Sequence, residues 1–116
     1  MQPFRRFATD HRPIVVDMRE FSICMDVRLE PSSYHEDLAL DLIRALEEDA
    51  RALGPVTSGD AEARVVSARF NVQAPDAVQA LEEARAVLAD ALRALGIKQP
   101  LDIVAVELEE YVEEEA

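Results

Sequence analysis

Cysteine is almost missing from this chain: Cys24 is the only one. No internal disulfide can form, and a zinc site built on several thiolates is excluded. Tryptophan is absent and aromatic residues make up only 5% of the chain, so a core must come from Leu, Val, Ile and Ala with a few Phe. Lysine is nearly missing as well, since eleven of the twelve basic residues are Arg and Lys98 is the exception. That bias points to a GC-rich coding sequence and carries no mechanism. No apolar run approaches the roughly 18 residues that a membrane-crossing helix needs. Residues Met1 to Asp10 have no apolar h-region, so no signal peptide is expected, and the expected location is cytoplasmic.

Positive charge is in short supply. Twenty-four acidic residues face twelve basic ones, for a formal net charge of −12. Such a balance favours solubility and repels polyanions, so no nucleic-acid partner is expected. The charge is uneven. From Glu107 to Glu115 there are six acidic residues and no basic one, whereas the first nineteen residues hold Arg5, Arg6, Arg12 and Arg19 against Asp10 and Asp17.

With 49% hydrophobic residues over 116 positions, the chain is long enough and apolar enough for one packed domain. Residues 1–19 read as an N-terminal arm, in which Pro13–Asp17 is a candidate edge strand and Met18 a candidate second translation start. Residues 20–110 read as a single α+β domain and residues 111–116 as an acidic tail.

Strict alternation marks the organising strand. Phe21, Ile23, Met25, Val27 and Leu29 share one parity, and Ser22, Cys24, Asp26 and Arg28 the other. Side chains alternate across a strand, so one face is buried. Next, Ser33 and Glu36 fit a capping box that opens a helix running to about Leu53. Leu38, Leu42, Ala45, Leu46, Ala50 and Leu53 form its apolar stripe, and Gly54 and Pro55 stop it. Val56–Ser58 is a candidate short edge strand. A second alternating run, Arg64 to Gln73, places Val66, Ala68, Phe70 and Val72 on the core side. Pro75 and Asp76 open a second helix with the stripe Val78, Leu81, Ala84, Leu88, Leu92 and Leu95, capped by Gly96 and Ile97. A last strand covers roughly Asp102 to Glu109, with Val104, Val106 and Leu108 toward the core. The halves look alike: Ile23, Met25, Val27 and Leu29 correspond to Val66, Ala68, Phe70 and Val72, and Arg51-Ala-Leu-Gly54 to Arg93-Ala-Leu-Gly96.

This order predicts a ferredoxin-like βαββαβ sandwich, with two helices on one face of an antiparallel sheet. If Val56–Ser58 is not a strand, the alternative is a three-stranded βαβαβ sheet. The uncovered face would carry Cys24, Val65, Ser67, Arg69, Leu101, Ile103 and Ala105, the candidate interface or ligand patch. The last strand is apolar on both parities, which normally signals cover on both sides. Three things could supply that cover: the Pro13–Asp17 run, a second copy of the chain, or a small apolar ligand.

No catalytic, metal or cofactor motif stands out. Cys24 has no histidine near it by sequence, so it reads as an inert thiol. His35 with Glu36, Asp37 and Asp41 resembles a cation site, but Asp41 falls on another helical face and first-turn acids suit the helix dipole. The leading expectation is a small acidic binding or regulatory module, self-associating through the open sheet face, with a homo-oligomer or another protein as partner and no cofactor, metal or membrane. The first alternative is a small ferredoxin-like enzyme with a sheet–helix cavity; whether the chain is an enzyme stays open, with the balance against it. The second alternative is an acidic inhibitor that mimics nucleic acid.

Overall fold

A computed structural model describes residues 17–111. The element order is β1 (Arg19–Arg28), α1 (Leu38–Glu47), β2 (Leu53–Asp60), β3 (Val65–Ala74), α2 (Ala77–Ala94) and β4 (Asp102–Tyr111). This is the expected β-α-β-β-α-β succession. The four strands form one sheet in the order β2-β3-β1-β4, with every neighbour antiparallel. The three-stranded alternative is set aside, because β2 pairs with β3 from Leu53 to Asp60. The arm before Asp17, with its candidate strand, and the tail beyond Tyr111 lie outside the described residues.

Alternation produces the core. Phe21, Ile23, Met25 and Val27 of β1 stand opposite Val72, Phe70, Ala68 and Val66 of β3, and all eight are buried. Leu38, Leu42 and Leu46 of α1 close over them from one side of the sheet, along with Ala84, Leu88 and Leu92 of α2. Among the described residues no polar or charged side chain is buried. Sheet and helices therefore meet through a dry apolar layer, and hydrophobic burial dominates its stability.

Both helices differ from their expected outlines. The Ser33–Glu36 capping box is not made. Instead the backbone N–H groups of Ser33 and Tyr34 donate to the Glu30 carbonyl, forming a turn, and α1 starts three residues after His35. The helix also stops early, at Glu47. Asp49 accepts the backbone N–H of Arg51 at 2.9 Å and the Nε–H and one Nη2–H of its guanidinium, which folds the chain into a local turn instead of another helical one. Leu53 thus leaves the helical stripe and opens β2, and Gly54, at φ +59°, sits in a bulge of that strand. In α2, Asp76 caps the helix by accepting the N–H of Gln79 at 2.8 Å. Its buried side is Ala80, Ala84, Val87, Leu88, Ala91 and Leu92, while Val78 is 68% exposed. The contact face is rotated toward the alanines Ala80, Ala84 and Ala91. Its end is as expected: Gly96 takes φ +87°, and the Ile97 N–H returns to the Leu92 carbonyl.

One irregularity shapes everything on β4. Asp26 stands opposite Ala105, but Val27 stands opposite Ile103, so Val104 is an extra residue in a β-bulge. On one side of it, Val106 and Leu108 share the face of buried Met25 and Ile23. Past the bulge the parity switches, and Ile103 takes that face opposite buried Val27. The last strand is apolar on both parities for this reason, and not because both of its sides are apolar.

Candidate functional site

The face of the sheet turned away from the helices is assembled from the second parity of each strand. Across β1, Cys24 stands opposite Arg69 of β3 and Glu107 of β4. Asp26 stands between Ser67 and Ala105, and Arg28 opposite Val65. So Cys24, Val65, Ser67, Arg69 and Ala105, five of the seven expected patch residues, share this face. Leu101 and Ile103 do not. They are partly buried against the core on the helix side, placed there by the Val104 bulge.

The face is consequently polar. Ser67 donates its hydroxyl to Asp26 at 2.6 Å, and Asn71 donates its amide N–H to Glu20. Arg69 lies 3.9 Å from Glu107, with both side chains more than half exposed. A shallow depression of ≈ 180 Å³ runs between Ser22, Arg69, Glu107, Leu108 and Glu109. Glu107 and Glu109 were legible by continuing the parity of Ile103 and Ala105 along the strand; stopping at Ala105 makes the face look apolar.

Two candidate chemical groups resolve differently. Burial pushes the Cys24 thiol above its ordinary value, Arg69 pulls it down, and Asp26 and Glu107 push it further up. The thiol form is thus favoured, which is the wrong direction for a nucleophile. His35 and Asp41 are not on separate helical faces. His35 precedes α1, and its Nε2 reaches within 3.9 Å of the Asp41 carboxylate at an exposed site. Among the described residues, no group of three or more His, Cys, Asp or Glu side chains is placed to hold a metal ion. Tyr34 packs partly buried against the core, beside Gly59 of β2.

The edges of the sheet complete the site. α1 lies over β2, and α2 lies over β3 and β1, so the helix layer hardly reaches β4. Val106, on the helix side of β4, is 45% exposed as a result. From Ala105 to Tyr111, β4 therefore presents Glu107, Glu109 and Tyr111 on one side and Val106, Leu108 and Glu110 on the other. Glu110 lies 3.8 Å from Arg19, again at an exposed site. Among the described residues only β1 pairs with β4. No helix of the described residues is long and apolar enough to cross a membrane. Comparison with protein-family models, with curated proteins and with solved structures finds no match to this chain.

Proposed function

We propose that this chain is a small acidic protein-binding module of ferredoxin-like architecture, located in the cytoplasm, and that its sheet is the binding surface. The strand order β2-β3-β1-β4 and the βαββαβ succession support the ferredoxin-like part of this reading. The observation that carries the reading is the state of β4: a ten-residue edge strand, acidic on one side, with a half-covered apolar strip on the other. A free sheet edge offers unpaired N–H and C=O groups, and the acidic side gives a preference for cationic partners. Binding is favoured over catalysis because the described sheet–helix interior holds no buried polar side chain and the Cys24 thiol is shifted away from its reactive form.

The test is a map by charge reversal, with a basic extended peptide as probe. Glu107→Lys and Glu109→Lys should weaken binding, whereas Glu47→Lys and Glu48→Lys at the C-terminal end of α1 should not. Equal weakening from both sets would reduce the effect to overall charge and remove the sheet as the binding surface.

A second reading keeps the homo-oligomer. Arg28 and Arg69 stand on the open face among Glu20, Asp26, Glu107 and Glu109, so two such faces could interleave their charges across a two-fold axis. Sedimentation of the chain and of its Arg69→Glu variant checks it: a dimer that the substitution splits supports this reading, and a monomer at every concentration removes it.

A further inference from the structure

We infer that the outer edge of β4, from Ala105 to Tyr111, accepts an extended segment of a partner protein in which basic and apolar side chains alternate, adding a fifth strand to the sheet. This rests on the binding-module reading above and names the partner's chemistry. Strand addition supplies backbone hydrogen bonds, and alternate side chains supply specificity. The two sides of β4 dictate that alternation. A partner residue on the open side meets Glu107 or Glu109, and its neighbour on the helix side meets Val106 or Leu108. Glu107 has Arg69 at 3.9 Å and Glu110 has Arg19 at 3.8 Å, but all four side chains are well exposed, so these contacts are weak and leave the strand's acidic character in place.

A second copy of β4 does not suit the same edge. Two-fold pairing sets residues of one face against each other. Centred on Glu107, Leu108 or Glu109, it puts carboxylate opposite carboxylate. Centred on Val106, it meets the Val104 bulge almost at once. Like charges and a bulge are devices by which edge strands avoid their own kind. A cationic strand meets neither obstacle over Ala105–Tyr111.

The experiment measures fluorescence anisotropy of labelled peptides with the full chain. The first peptide alternates Arg and Val. The second has the same composition with the Arg residues in one block. The third is the alternating peptide with N-methyl groups on alternate backbone nitrogens, which keeps the charge and removes the donors along one edge. The alternating peptide should bind at least tenfold more tightly than the other two. The double variant Glu107→Lys, Glu109→Lys should lose at least tenfold for it, and a peptide alternating Glu and Val should recover binding to that variant. If all three basic peptides bind alike but still more tightly than a neutral one, the acidic binding module stands and the strand-addition mode is overturned. If none exceeds the neutral peptide, both readings fall. Slow exchange of the outward Ala105–Tyr111 amides in the chain before any peptide is added would show the edge already occupied, by the chain itself or by a second copy, and would overturn the inference.

Discussion

β2 and β4 flank the same sheet, yet they meet solvent in different ways. α1 lies over β2, Thr57 of that strand donates its hydroxyl to the Ala39 carbonyl at 2.6 Å, and Tyr34 packs beside Gly59. Gly54 and Pro55 interrupt its pairing with β3. A proline removes one backbone donor and a bulge twists the edge away, so β2 is a poor template for a further strand. β4 has a bulge too, but it sits near the strand's start, and seven residues of regular edge follow it. Among the described residues, α2 only skirts their apolar side, whereas α1 lies squarely over β2. The difference teaches where a small α+β layer can be extended: on the side the helices leave short, provided the incoming strand carries the opposite charge.

The largest expected effect separates the packed interior from this half-covered margin. Phe70→Ala, at a 1% exposed position on β3, should cost about 3–5 kcal/mol in a denaturant titration. Leu108→Ala on β4, only partly buried, should cost about 1 kcal/mol. Similar losses would mean that β4 is covered as thoroughly as β3. A finer version uses one substitution twice. Val66→Thr places a hydroxyl in the dry layer and should cost about 1–3 kcal/mol. Val106→Thr, at 45% exposure, should stay within about 0.5 kcal/mol in the same titration.

Thr57→Val probes what closes β2. It removes one hydrogen bond to α1 with little change of shape and should cost about 1 kcal/mol. A cost of nil would mean that this hydrogen bond does not hold α1 to that edge. A loss of similar or smaller size is expected at the turn between α1 and β2. Hydrogen bonds from the Arg51 side chain hold the Asp49 carboxyl below its usual range, against the opposing effect of burial. A lowered carboxyl stabilises the fold above the ordinary Asp value of about 3.9, and that contribution fades as pH falls through the lower folded value. Arg51→Gln should therefore cost about 0.5–1 kcal/mol near neutrality, and the gap from the parent chain should narrow in acid. Thermal unfolding at both pH values reads this, and a gap that widens in acid would contradict it.

Most of the architecture was legible because two rules act locally. Period-two alternation identified β1 and β3, and both strands keep the predicted faces throughout. Gly96 with Ile97 identified the end of α2 for a stereochemical reason that needs no tertiary information. The same words elsewhere failed. Arg93-Ala-Leu-Gly96 ends a helix, but Arg51-Ala-Leu-Gly54 leads from a turn into a strand bulge. Both glycines have positive φ, so the sequence marks the backbone conformation and not the element that uses it. What separates them is Asp49, whose side chain competes for the backbone before Arg51. The site was harder to read. A bulge inserts one residue and exchanges the two faces of everything beyond it, and nothing in Ile103-Val-Ala-Val106 announces which residue is extra. Alternation alone therefore puts Leu101 and Ile103 on the wrong side and makes a polar, acidic face read as an apolar one.

Amide hydrogen exchange of the full chain, with and without the peptide of alternating Arg and Val, bears most directly on the contrast between the edges. New protection should be confined to the outward amides of Ala105–Tyr111, with Leu53–Asp60 unchanged. Protection that appears along Leu53–Asp60 instead, or that spreads evenly over both flanks of the sheet, would contradict it.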